Sequence, residues 1–315
     1  MSEPLVSICV PAYQKPKYVS RLLDSILLQD YKNVEIVISD DSPGEDTKQA
    51  IEPYLNQLRI RYIHNQPSLR SPRNWNHALN NASGDLLVLM HQDDWYHSQK
   101  ALSSFVEAFD DTAVDFVFCQ NTAVDENGNK TVLQAIPSLL YRLSKTPNHL
   151  VLAQVIGPPG NTMLRTQVDV RYDERFIWLV DVDYYVRVLK KGYRYRYLAQ
   201  HLVSIGLHED QTTAFCRANP DIIFKENIWF AQKLEPQAFN DIQIYDYYWR
   251  LLRNYTIRSK EDILANNVQE NEIPAVIFQM LDAQTKFAAN TLKKGVFSKM
   301  LMARSFLKWR LKNRA

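Results

Sequence analysis

The chain of 315 residues is 46% hydrophobic and 23% charged, with 37 Lys+Arg against 35 Asp+Glu and a formal charge of +2. That length allows about two domains with real cores, and the composition excludes a disordered or fibrous protein. So even a charge balance argues against a surface that grips nucleic acid, and no nucleic-acid partner is expected.

Leu5 to Val10 reads as an apolar strand, and Tyr18 to Leu28 carries Val19, Leu22, Leu23, Ile26 and Leu27 at helical spacing. The alternation continues: strand Val34 to Ser39, helix Glu45 to Leu58, strand Ile60 to Ile63, helix Arg73 to Ala82, strand Leu86 to Met90, helix Gln99 to Phe109, strand Asp115 to Cys119. Strands rich in Val and Ile, without polar alternation and separated by helix-length segments, predict a mostly parallel sheet covered on both faces. After Gln120 the rhythm breaks into a turn, Asp125-Glu126-Asn127-Gly128, and a Pro/Gly stretch, Gly157-Pro158-Pro159-Gly160, an excursion suited to one wall of a site. From about Pro220 the pattern is helical, which divides the chain into an α/β domain over 1–218 and a helical region over 219–315.

Glycines stand only at 44, 84, 128, 157, 160, 192, 206 and 295, so neither G-x-G-x-x-G nor a P-loop can be written. That weighs against a dinucleotide-dependent oxidoreductase on the same kind of sheet. Cys9, Cys119 and Cys216 are far apart and show no C-x-x-C spacing, which fits a reducing compartment. A signal peptide and a transmembrane run are not expected from the pattern, so a cytoplasmic location is.

In an open α/β sheet, ligands bind beyond the carboxyl ends of the strands. Acid clusters fall there: Ser39-Asp40-Asp41-Ser42 after the second strand and His91-Gln92-Asp93-Asp94 after the fourth, with Asp181-Val182-Asp183 later on. A single such pair is commonly a cap or turn, but three clusters of mutually repelling carboxylates call for a cation or a chemical task.

The ordered set Val6 to Tyr13, Glu35 to Ser42, Arg73-Asn74, Ala82-Ser83-Gly84-Asp85 and Gln92-Asp93-Asp94 resembles a family 2 glycosyltransferase over about residues 5 to 210. The resemblance implies a Rossmann-like GT-A fold with a helical C-terminal extension. It also implies inverting transfer of a sugar from a nucleotide-diphospho-sugar, UDP- or dTDP-linked, to a glycan or lipid-linked glycan acceptor. It places the nucleotide at Pro11, Tyr13, Asp41, Arg73 and Asp93, with the Tyr13 ring on the base and the Asp41 carboxylate reading its imide. A divalent ion, Mg²⁺ or Mn²⁺, is implied at Asp93, Asp94 and His208. Phe176 to Arg187 resembles the segment of the catalytic base, which falls on Asp181. Two departures stand out: His91 replaces the first acid of D-x-D, and Val180 replaces a Glu. A nucleotide-sugar-binding relative without turnover is the alternative these departures raise.

The last 24 residues, Leu292 to Ala315, hold five Lys, three Arg and no acid, so the tail carries +8 and the rest of the chain −6. On a helical wheel Leu292, Val296, Met300, Ala303 and Leu307 share a stripe, with Lys294, Arg304, Lys308 and Lys312 away from it. Basic residues beside Trp and Phe suit a helix lying on an anionic membrane surface, which would hold the protein peripherally on the inner face of the cell membrane.

Overall fold

The computed structural model describes residues 3–133 and 135–313. β1 (Val6–Ala12), β2 (Val34–Asp40), β3 (Ile60–His64) and β4 (Leu86–Leu89) lie in the order β3-β2-β1-β4, all parallel. Helices α1 (Pro16–Leu27), α2 (Asp46–Ile51) and α3 (Arg73–Asn80) connect them. β1 and β4 are buried along their whole length, and α1 turns Val19, Leu22, Leu23 and Ile26 into the same core. Burying each such side chain is worth roughly 1.5–3 kcal/mol, which is why this apolar spacing sets the helix face. The helix expected over Glu45 to Leu58 is shorter, because Pro53 cannot sit inside an α-helix; α2 ends at Ile51 and a 3-10 turn takes over at Glu52–Tyr54.

β5 (Trp95–Tyr96), α4 (Ala101–Glu107), β6 (Phe116–Val124), β7 (Lys130–Leu133), α5 (Pro137–Lys145), β8 (Thr162–Arg165), α6 (Val180–Lys190) and β9 (Tyr195–Gly206) follow. This half of the sheet is mixed rather than parallel: β8 is antiparallel to β4 and β6, β9 is parallel to β6, and β5 is antiparallel to β9. Unbroken apolar strands report burial on two faces, which favours parallel pairing but is shared by an antiparallel strand inside a covered sheet such as β8. The Asp125 turn is a hairpin joining β6 to β7, with Gly128 at a φ of 81° and the Asp125 carboxylate accepting from Asn127 and Asn129.

The chain forms two compact units, one up to Tyr141 together with Gln154–Gln211, the other Arg142–Ala153 with Thr212 onward. The division therefore falls before α7 (Thr212–Ala218) and not at 218, because α7 packs against α8 (Pro220–Lys233). Arg142–Ala153 joins the helical unit partly through buried His149, whose Nε2 lies 2.7 Å from Asp241 Oδ2, at the start of α9 (Ile242–Asn254). The unit is completed by α10 (Lys260–Leu264), α11 (Ala275–Thr285), α12 (Ala289–Leu292) and α13 (Gly295–Lys312).

The expected tail stripe needs correction at Leu292. Leu292 is buried and ends α12, whereas Val296, Met300 and Leu307 are exposed. The face of α13 that packs inward is Ser298, Met302, Ser305, Phe306 and Trp309. Arg314 and Ala315 lie outside the described residues. No helix among the described residues is long and apolar enough to cross a membrane.

Candidate active site

Parallel β1, β2 and β4 bring their carboxyl ends to one edge, with Ala12 in register with Asp40 and Cys9 with Leu89. Pro11 is buried within β1 opposite Ser39. Tyr13 leaves the strand with its side chain 54% exposed. Its backbone is held on both sides by one amide, since Tyr13 N–H donates to Gln92 Oε1 at 3.1 Å and Gln92 Nε2 donates to Tyr13 O at 3.0 Å. Gln14 and Lys15 then adopt φ of 52° and 55°, the left-handed region that non-glycine residues seldom occupy. The Gln14 N–H donates to Ser42 Oγ at 2.6 Å, tying this loop to the end of β2.

The two acids after β2 differ in role. Asp40 is fully buried and satisfied by Ser42 N–H, Ser42 Oγ and Tyr62 OH, so it builds the turn. Asp41 accepts from Asn65 Nδ2 and Leu69 N–H on one oxygen and from Arg70 N–H, at 2.7 Å, on the other. Its carboxylate thus shapes the 65–70 loop, and Oδ2 accepts one of these three bonds where Oδ1 accepts two. Arg73 is exposed and pairs with Glu174 at 3.0 Å. Its neighbour Asn74 is the inward residue of the pair, donating to Ser39 O and accepting from Asn65.

After β4 the chain turns through His91, Gln92, Asp93 and Asp94. His91, Asp93 and Asp94 offer ligand atoms that all lie within 4.8 Å of one another. His91 packs at a tilt against Trp75, with ring centroids 4.7 Å apart, its Nε2 is buried without a partner, and burial lowers its pKa, so a neutral ring nitrogen is available. Asp94 is 2% exposed, and burial first, then the neighbouring Asp93, pushes its carboxyl well above the usual range. Such a group wants a cation beside it. Arg21 supplies part of that charge: its Nη2 donates to Asp93 O at 2.6 Å while the guanidinium lies 3.8 Å over the Trp95 ring. His208 Nε2 lies 2.9 Å from Asp93 Oδ2, and its ring packs 5.3 Å from Tyr18, which brings His208 to the cluster from the end of β9. Two glycines permit the crowding. A Cβ on Gly206 would sit 2.4 Å from Asp93 O, and one on Gly160 would meet Met90 Sδ at 2.8 Å beside Asp94 Oδ2.

Asp181 lies in the first turn of α6, largely enclosed, with Oδ1 buried and unpartnered. Burial alone pushes its carboxyl up to about 7. The N-cap position belongs to Leu179, so Asp181 is not a capping residue. It is close enough to Asp94 to raise that group further. Asp183, its companion in sequence, is instead ion-paired with Arg187 at 2.8 Å. The edge therefore combines an exposed aromatic ring, a set of carboxylates and imidazoles that can hold a divalent ion, and a desolvated carboxyl that can take a proton near neutral pH.

Sequence reasoning missed Gln92 as the clamp on Tyr13, Arg21 as the cation behind the acid turn, and His91, in place of His208, as the imidazole clustered with Asp93 and Asp94. Only His91 had a signal, its place in the motif. Gln92 and Arg21 have none, because their roles depend on which backbone they meet.

The family model described as Glycosyl transferase family 2 matches residues 7–173, just over half of the chain. The chain is 24% identical over 208 residues to an uncharacterized glycosyltransferase of Methanocaldococcus jannaschii, covering 64% of this chain and 71% of the relative. It is 24% identical over 269 residues to the amylovoran biosynthesis glycosyltransferase AmsB of Erwinia amylovora, covering 80% and 85%. A shorter stretch of 93 residues, 29% of this chain and 30% of the relative, is 33% identical to the GalNAc(5)-diNAcBac-PP-undecaprenol beta-1,3-glucosyltransferase of Campylobacter jejuni. Among solved structures, S. aureus TarS in complex with UDP superposes with a TM-score of 0.60 at 19% identity, over 97% of this chain and 89% of that one. The mannosyltransferase PcManGT of Pyrobaculum calidifontis, in complex with GDP-Man and Mn²⁺, gives 0.54 at 15% identity, over 99% and 88%. At these identities the likeness to solved structures is one of fold.

Proposed function

The chain belongs to the family 2 glycosyltransferases, and from that premise we propose that it performs an inverting transfer of a hexosyl group from a UDP- or dTDP-linked sugar to an acceptor hydroxyl of a glycan or lipid-linked glycan. The observation that carries the reading is Asp181: a carboxyl with a buried, unpartnered oxygen, raised by burial to about 7, at the acid-rich strand edge. A general base works best with a pKa near the operating pH. The Tyr13 ring stacks on the donor base, and the Asp41 carboxylate reads the base N–H. Asp181 takes the acceptor proton as the acceptor oxygen attacks the anomeric carbon from the face opposite the diphosphate. The Gly157 to Arg165 segment, which places Gly160 beside Asp94, is the wall the acceptor meets.

The residues present fit a divalent ion: three ligand groups lie within 4.8 Å of one another, one of them on an imidazole whose Nε2 is buried without a partner. Asp93 and Asp94 would hold Mg²⁺ or Mn²⁺, with His91 in the same cluster and His208 bonded to Asp93, and the ion would neutralise the charge that builds on the leaving diphosphate. UDP and UDP-GlcNAc in the TarS structures, and Mn²⁺ in that of PcManGT, support this choice of ligands. Relatives that build amylovoran and an undecaprenol-linked glycan support a role in surface polysaccharide or lipid-linked glycan synthesis. The reading places the enzyme in the cytoplasm, peripherally attached to a membrane. Thermal shifts with UDP-, dTDP- and GDP-sugars, with and without Mn²⁺, test it, because a ligand at a hundred times its Kd stabilises the fold by about 2.7 kcal/mol. No shift with any of them would defeat it. Nucleotide-sugar binding without transfer to any acceptor would favour the non-catalytic alternative.

A further inference from the structure

We propose that the outward face of α13 is a docking surface for an anionic lipid bilayer. This deepens the peripheral-membrane part of the functional reading and stands apart from the transfer chemistry. α13 has two apolar faces, and the fold uses only one. On the inner face, Ser298 Oγ accepts from Trp249 Nε1 at 3.0 Å, Ser305 Oγ lies 2.8 Å from Tyr245 OH, and Phe306 and Trp309 pack edge-on against Tyr245 and Phe239. At 3.6 residues per turn the opposite side is Val296, Met300, Leu307 and Leu311. These are 79%, 60%, 57% and 67% exposed. They run along about 22 Å of helix at 1.5 Å per residue. Single exposed apolar residues are ordinary, whereas four large ones in line on a helix otherwise anchored in a core are not.

The charges around the stripe have one sign. Lys299 and Arg310 flank it on one side and Arg304 and Lys308 on the other, all exposed, with Lys293 and Lys294 before the helix and Lys312 at its end. No acid occurs from Leu292 onward. The occupant must therefore be apolar along its middle and negative on both sides. The boundary of an anionic bilayer has that arrangement, with acyl chains under the stripe and headgroup phosphates within reach of the snorkelling Lys and Arg. A nucleic acid would answer the charges and leave the stripe in water. A second copy docking by the same face would set two rows of positive charge against each other.

The test is flotation of the full chain with vesicles of phosphatidylcholine alone or mixed with phosphatidylglycerol, at low and high salt. Wild type is expected to float with the mixed vesicles at low salt, to do so less at high salt, and to stay behind with pure phosphatidylcholine. Met300→Ser with Leu307→Ser, and separately Lys299→Glu with Lys308→Glu, should each weaken binding at least tenfold, since one basic residue near such a surface is worth about fivefold. Melting temperature and nucleotide-sugar-induced shifts should not move, because these side chains point out of the core. Absence of flotation at low salt overturns the proposal. So does binding that charge reversal abolishes and the serine pair leaves intact, the mark of a purely electrostatic polyanion site. Self-association without vesicles that the serine pair dissolves also overturns it, because a second copy would then own the face. Vesicle binding in a chain that takes no nucleotide-sugar would refute the transfer reading and leave this one standing.

Discussion

At the scale of single residues, two side chains decide whether the edge is a transferase site. Asp181 should be active only when ionised, so turnover with saturating donor is expected to rise with pH through about 7 and level off above it. Asp181→Asn should remove roughly 10² or more of the rate and flatten that profile while donor affinity holds; equal losses in affinity and rate would make the residue structural. The same carboxyl bears on stability with a definite sign. Its folded pKa, about 7, lies above the reference 3.8, so between these values the folded chain keeps a proton that the unfolded chain has lost, and stability falls as pH rises through that window. Asp181→Asn is therefore expected to raise the unfolding free energy at pH 8 by roughly 1–4 kcal/mol, and the melting temperature with it, and to leave both unchanged below pH 4. A variant no more stable at pH 8 than wild type would contradict the burial argument. Tyr13 gives the second case. Tyr13→Ala should weaken nucleotide binding by roughly 1–3 kcal/mol and Tyr13→Phe hardly at all, if the ring face is what binds. Gln92→Ala, which frees the Tyr13 backbone from its two hydrogen bonds, should reproduce part of the Ala loss without touching the ring. Calorimetric titration with UDP separates these outcomes, and a Phe variant as weak as Ala would point to the hydroxyl.

At the scale of elements, what was legible follows from period and from strand ends. The first four strands and the helices between them could be read because apolar spacing fixes which face is buried. The direction of β8 and the splitting of the second half into a mixed sheet could not, because antiparallel and parallel strands buried on both sides carry the same residues. The acids after β2 and β4 were found from their position. The choice of Asp41 over Asp40 came from the family resemblance and not from the residues themselves, since the two differ only in what Ser42, Tyr62 and the 65–70 loop do with them. The motif Ala82-Ser83-Gly84-Asp85 proves to be joinery at the opposite ends of the strands. Buried Glu35 accepts from Ser7 Oγ and Ser83 N–H, Asp85 accepts from Leu5 N–H, and Gly84 leaves no room beside β1. A Cβ there would stand 2.6 Å from Leu5 O and 2.9 Å from Ser7 N, both backbone atoms that cannot swing aside. Gly84→Ala should accordingly cost about 1–3 kcal/mol of stability, as overpacking does, and leave nucleotide affinity per folded molecule unchanged. Urea denaturation reads the first and titration the second. A loss of affinity in fully folded variant would return the motif to the site.

At the scale of the whole molecule, the basic C-terminal segment serves both as part of a core and as a surface, and this changes what a truncation means. Read from sequence, residues 292 to 315 look like a detachable tail. In the structure Leu292 and Met302 are each 2% exposed, and Phe306 and Trp309 each 6%. At roughly 1.5–3 kcal/mol for each buried side chain, these four contribute about as much as the entire net stability of 5–15 kcal/mol that a domain usually has. Their removal would also leave Trp249 Nε1 without Ser298, and Tyr245 OH without Ser305, in the interior of the helical unit. A chain ending at 291 is therefore expected to lose cooperative melting of the helical unit and to bind a hydrophobic dye at room temperature. Met300→Ser with Leu307→Ser, on the outer face of the same helix, should melt as wild type does. Scanning calorimetry of the three proteins distinguishes the cases: a truncated chain with the full-length transition would mean that α13 is an appendage after all, and a serine pair that melts early would mean that its outer face is covered.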